Sequence, residues 1–164
     1  MRKLSSSFEY LEYDSYLELP AEDRSLLEMA RKGIASSHAP YSRYHVGAAV
    51  KLANGEVFTG SNQENIAFPA GLCAERVAVY SAASAFPDTP ITTLAISARA
   101  DAFEVTEPVP PCGMCRQSIV EYEFKFGNNI RIILAGQTGK AFIINGMSTL
   151  LPLTFFEKGL HQPK

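Results

Sequence analysis

The chain of 164 residues holds three cysteines, and their placement constrains the fold more than any other feature. One lies in Cys73-Ala74-Glu75-Arg76; the other two lie in Pro111-Cys112-Gly113-Met114-Cys115-Arg116-Gln117. Cys112 and Cys115 are one helical turn apart, so both thiolates can grip one ion from the same helix face. Cys73 also precedes a helical stretch. A fold that uses all three must therefore aim two helix starts at one point, where their positive ends favour thiolate over thiol. A structural zinc site takes four protein ligands, whereas a catalytic one takes three and leaves a position for water. Glu75, two residues after Cys73, is then a non-ligand carboxylate beside that open position. It can take a proton from water and deliver protons to a ring nitrogen and a leaving amine. Arg76 and Arg116 follow Glu75 and Cys115 directly and are candidates to hydrogen-bond the thiolates and drain their charge.

Other readings of the cysteines weigh less. A closed site would need His38, His45 or His161 as fourth ligand, and a lone histidine is more often a hydrogen-bonded structural residue. A dithiol redox pair would leave Glu75 unexplained. An odd cysteine count with a Cys-x-x-Cys pair suits metal binding in a reducing compartment better than a disulfide framework. The N-terminus carries two basic residues but no long apolar run after them, so the expectation is a cytoplasmic protein. No stretch approaches the length of a membrane helix. A net charge of -2 argues against a broad phosphate-binding face and hence against nucleic acid as partner.

Along the chain, Phe8 to Leu19 mixes aromatics with acids and partly alternates, as an edge strand or docking arm would. Pro20-Ala21-Glu22-Asp23 starts a helix with acids in its first turn, and Leu26, Leu27, Ala30 and Ile34 form its apolar stripe. Asn54-Gly55 is a hairpin turn signal between strands at Val46–Leu52 and Glu56–Thr59. A polar loop follows from Gly60 to Gly71, well placed before the metal motif for substrate contacts. The helix opened by Cys73 is small or apolar nearly all round and should be buried. Strands at Ile91–Ser97, Ile130–Ala135 and Ala141–Ile144, a helix at Cys112–Phe126, and a short broken helix over Thr149–Leu160 complete the pattern. It predicts an α/β fold, a three-layer α-β-α sandwich around a mixed five-stranded sheet. The expected organisation is an N-terminal extension over residues 1–19 and one catalytic domain over 20–164.

These residues resemble the small homotetrameric cytidine deaminases. The resemblance rests on Pro40-Tyr41-Ser42, Val46-Gly47-Ala48-Ala49, Asn62-Gln63-Glu64-Asn65, both cysteine motifs, and Leu150-Leu151-Pro152 with Phe155. It implies a zinc-dependent hydrolytic deamination of cytidine and deoxycytidine in pyrimidine salvage. It implies that Asn62 and Glu64 hold ribose hydroxyls and that Ala74 offers backbone groups to the pyrimidine edge. Tyr44 would pack on the base, Phe68 would form a pocket wall, and Phe155 would reach a neighbouring subunit's pocket, so that active sites are shared in a homotetramer. Tyr44, His45, Phe68 and Pro110 depart from the family pattern. A blasticidin-S-type deaminase shares the cysteine motifs but lacks the Asn-x-Glu-Asn loop. A polynucleotide-editing enzyme would need a basic, aromatic strand-binding surface. A zinc-structural module without turnover is the remaining alternative.

Overall fold

A computed structural model describes residues 1–160. Six strands form one mixed sheet: β1 (Leu11–Tyr13), β2 (Tyr44–Leu52), β3 (Val57–Ser61), β4 (Ile91–Ala100), β5 (Arg131–Ala135) and β6 (Ala141–Asn145), in the order β1-β6-β5-β4-β2-β3. Only β4 and β5 pair in parallel. Three helices cover it: α1 (Ala21–Gly33), α2 (Ala74–Ala85) and α3 (Gly113–Phe126).

The period-2 alternation of the strands divides the interior into two cores of different grain. Val50, Leu52, Leu94, Ile96, Ile132 and Leu134 face α2 and α3. Their neighbours Ala49, Ala95, Ile133 and Ala135 face Leu26, Leu27 and Ala30 of α1. The face under α1 is thus built largely from alanines, which lets that helix lie close. A Cβ on Gly47 would meet the Ala30 carbonyl oxygen at 1.9 Å.

The sheet has six strands where five were expected. The sixth, β1, comes from the N-terminal segment and pairs antiparallel with β6, Leu11 opposite Ile143 and Tyr13 opposite Ala141. Tyr10 packs on Phe142 with ring centroids 4.8 Å apart, and Lys140 pairs with Glu12 at 2.8 Å. Tyr16 lies under the Arg31 guanidinium, 3.7 Å from ring centroid to carbon. β4 also runs past its expected end to Ala100, because β2 offers partners from Leu52 back to Tyr44. The expected helix over Thr149–Leu160 is absent. A 3-10 turn at Met147–Leu150 is followed by irregular chain, since Pro152 has no N–H to continue a helix and Leu153 adopts φ 57°.

Candidate active site

Strand direction explains how the cysteines meet. β2 is antiparallel to both its neighbours, β3 and β4, so those two run the same way and end at the same edge of the sheet. The chain leaving β3 enters α2, and the chain leaving β4 enters α3. Both helices therefore start at that edge and share one core. Cys73 is the N-cap of α2 and Cys112 the N-cap of α3, both in extended conformation and neither capping with its side chain. Cys115 sits a turn into α3, fully buried. The sulfurs are left free to point at one another.

Cys73 Sγ lies 3.8 Å from Cys112 Sγ, Cys112 Sγ lies 3.5 Å from Cys115 Sγ, and all three fall within 4.8 Å. Zinc–sulfur bonds of about 2.3 Å at tetrahedral angles put sulfurs about 3.8 Å apart, so the triangle fits a tetrahedral ion. Among the described residues no histidine or carboxylate joins the three sulfurs as a further ligand. His38 and His45 stand elsewhere, and His161 lies outside the described residues. The donor set is that of a three-ligand site with one open corner.

The electrostatics suit a metal. The Cys73 thiol is pushed down to about 5, first by its contact with Cys115 and then by Arg76 and Cys112. The same Cys73 contact and burial push the Cys115 thiol up. Glu75, in the first turn of α2, is only 5% exposed, and burial raises its carboxyl above the ordinary range, with the Cys73 charge adding to it. Desolvation works against the Arg76 charge, but contact with the Cys73 and Cys115 sulfurs outweighs it. Among the described residues the Arg76 Nε has no hydrogen-bond partner.

A cleft of about 560 Å³ opens beside the sulfurs. Cys73, Arg76, Met114, Asn62, Glu64 and Phe68 are among the residues that line it. The Glu64 carboxylate accepts from the Tyr41 N–H at 3.0 Å, the Ser42 N–H at 3.2 Å and the Ser42 hydroxyl. These bonds, the hydroxyl's first, hold its carboxyl below the usual range. Asn62 bridges two groups of β2: its Nδ2 donates to the Tyr44 carbonyl at 2.9 Å and its Oδ1 accepts from the Val46 N–H at 2.8 Å. Phe68 meets Tyr41 edge to face, 5.8 Å between centroids, and both line the cleft.

The sequence profile of the "Cytidine and deoxycytidylate deaminase zinc-binding region" matches residues 20–126, a span that runs past both cysteine motifs. The chain belongs to this deaminase family. It is 38% identical to the cytidine deaminase of Halalkalibacterium halodurans over 96 residues, covering 58% of this chain and 68% of that one. It is 39% identical to the cytidine deaminase of Sporosarcina psychrophila over 98 residues, covering 59% and 67%. The crystal structure of cytidine deaminase from Burkholderia pseudomallei superposes with a TM-score of 0.70 at 30% identity, covering 84% of this chain and all of that one. That from Mycobacterium tuberculosis superposes with a TM-score of 0.65 at 27% identity. The metal of this deaminase fold is zinc, and Cys73, Cys112 and Cys115 form the group positioned for it.

Not every residue singled out in the sequence sits on the cleft wall. Tyr44 lies beside Phe103, ring centroids 6.4 Å apart. Arg116 donates from Nε to the Pro111 carbonyl at 2.8 Å and from Nη1 to the Leu150 carbonyl at 2.7 Å. Those atoms fix the turn that carries Cys112 rather than touching sulfur. Ala74 is fully buried as the first residue of α2. Phe155 is 74% exposed, its backbone clasped by Gln117, which accepts the Phe155 N–H at 3.2 Å and donates to its carbonyl at 3.0 Å. Sequence reasoning missed Gly60. A Cβ there would meet the Ala74 oxygen and the Ala78 nitrogen at 2.5 Å each, so this glycine lets the first turn of α2 seat on β3. The sequence pattern ends the strand at Thr59, whereas β3 runs on to Ser61; a glycine inside a strand, where another backbone can approach closely, is the signal that the longer strand would have given.

Proposed function

We propose that this chain deaminates cytidine hydrolytically, giving uridine and ammonia, and that deoxycytidine is handled by the same pocket. One observation carries the reading. A buried carboxylate, Glu75, lies in the first turn of α2 in contact with the Cys115 sulfur and is not itself among the ligand group. When bound, zinc makes water at its open corner acidic enough to yield a nucleophile at neutral pH.

Glu75 does the proton work. It takes one proton as the water oxygen bonds to the amino-bearing ring carbon, and passes it to the adjacent ring nitrogen. It takes the second and gives it to the amine, which leaves as ammonia when the carbon–nitrogen bond breaks. A carboxyl raised by burial suits a group that must both accept and release protons near neutrality. Arg76, placed against two of the sulfurs, offsets the charge of three thiolates. The Ala74 N–H belongs to the first turn of α2, where backbone donors have no intrahelical partner, and serves the pyrimidine edge. Glu64 and Asn62 serve the sugar. A fixed carboxylate accepts from a sugar hydroxyl and repels a phosphate, so the substrate is a nucleoside, not a nucleotide. Residues 20–164 act as the catalytic unit, with 1–19 an extension that contributes an edge strand.

The exposed Phe155, Phe68 and Ile66 support an assembly in which subunits close one another's clefts, which we read as a homotetramer. Free cysteines support a reducing compartment and a role in cytoplasmic pyrimidine salvage. Among the described residues no helix is long and apolar enough to cross a membrane. The test is loss of cytidine absorbance on mixing with zinc-loaded protein, beside Glu75→Gln. The wild type should turn over and the variant should keep its zinc but lose about 10²–10⁴-fold in rate. Equal turnover by both would refute the assignment.

A further inference from the structure

We propose that Ser42 is a positioning residue for sugar recognition: its side-chain hydroxyl locks the Glu64 carboxylate so that one oxygen is left to accept from a nucleoside hydroxyl. This rests on the nucleoside deaminase reading above.

The turn that carries Ser42 is built for the purpose. Arg43 holds a left-handed φ of 53°, a conformation side-chain-bearing residues adopt at a cost. Its N–H closes the turn on the Ala39 carbonyl at 3.0 Å, and its carbonyl is held by the Asp101 N–H at 3.2 Å. This geometry presents the Tyr41 and Ser42 N–H groups together to Glu64 Oε2, at 3.0 and 3.2 Å. The Ser42 hydroxyl accepts from the Tyr44 N–H at 3.0 Å, and its own proton goes to Glu64 Oε1. A hydroxyl has one proton, so the two contacts fix its direction.

The consequence is a carboxylate with unequal oxygens. Oε2 takes two N–H donors, whereas Oε1 takes one and keeps acceptor capacity. Glu64 lines the cleft. An acceptor held this way rewards a ligand that brings a hydroxyl, and an analogue lacking one leaves the remaining acceptor capacity of Oε1 unused. Without Ser42 the carboxylate is free to swing about Oε2, and the hydroxyl it should meet loses its partner.

The experiment compares wild type, Ser42→Ala and Ser42→Thr, each zinc-loaded, on cytidine and on 2′,3′-dideoxycytidine measured as a competing ligand. Ser42→Ala should raise KM for cytidine about tenfold, the scale of one hydrogen bond to a charged group, with kcat nearly unchanged. Its affinity for the dideoxynucleoside should match wild type, because the 2′- and 3′-hydroxyls that Glu64 would accept from are absent. Ser42→Thr should restore most of the cytidine KM. A loss of equal size on both nucleosides, or none on either, overturns the proposal while leaving the deaminase reading intact. Wild-type protein that turns over no nucleoside ends both.

Discussion

Replacing Gly60 by alanine tests how tightly the metal centre depends on the seating of α2. The added Cβ would lie 2.5 Å from two backbone atoms of that helix and 3.0 Å from Val77 Cβ. Backbone cannot swing aside as a side chain can. To move from 2.5 Å to an ordinary contact of about 3.4 Å, the first turn of α2 must lift by about 0.9 Å. Cys73 and Glu75 flank Ala74 and would move with it, while Cys112 and Cys115 stay on α3. Zinc tolerates ligand errors of about 0.2 Å, so the shift is several times what the site can absorb. Overpacking of this kind costs about 1–3 kcal/mol in stability, and a misplacement near 1 Å costs about 10²-fold in rate. Gly60→Ala should therefore fold, melt several degrees lower, and lose zinc to a chelator far more readily than wild type. Zinc content, chelator competition and kcat/KM on the same sample decide it. A variant with full zinc retention and wild-type kinetics would refute the idea that β3 sets the height of Cys73.

Other expectations follow from the same contacts. Arg76→Ala should keep the fold but lower zinc affinity or kcat by about 10–100-fold, read by chelator competition and steady-state rates, because it leaves two sulfurs without their cation. Removing the metal with a chelator should abolish turnover and lower the melting temperature, both restored by zinc alone, and persistent turnover in zinc-free protein would contradict the mechanism. Glu123 is buried and accepts from the N–H groups of Ile130 (2.9 Å), Met147 (2.6 Å) and Ser148 (3.1 Å). Glu123→Ala should cost about 3 kcal/mol, seen as a lower denaturant midpoint, by leaving those donors without a partner.

The three clustered sulfurs and the two helices that carry them were legible because metal chemistry fixes residue types at short spacing. The hairpin was legible because Asn54-Gly55 demands a turn, and Gly55 takes φ 91°. What escaped depends on residues far apart in the chain. Nothing local in Leu11-Glu12-Tyr13 announces Ile143 as its neighbour. Nothing in Gly60 announces Ala74. Arg116 read as a sulfur ligand's companion because it follows Cys115, yet a helical residue one step on points elsewhere, and its guanidinium reaches two carbonyls. Asn62 is expected at the ribose, and nothing in the sequence announces that its amide also bridges β2. Spacing gives chemistry; it does not give direction.

In the six-stranded sheet, the earliest strand in chain order, β1, lies beside the latest, β6. Leu11 to Tyr13 must wait for Ala141 to Asn145 to emerge, so on a ribosome this rim of the sheet stays unsealed until all six strands have been made. Until then β6's future partner trails as loose chain with its aromatics uncovered, and a stalled nascent polypeptide would offer that sticky margin to chaperones or to its neighbours.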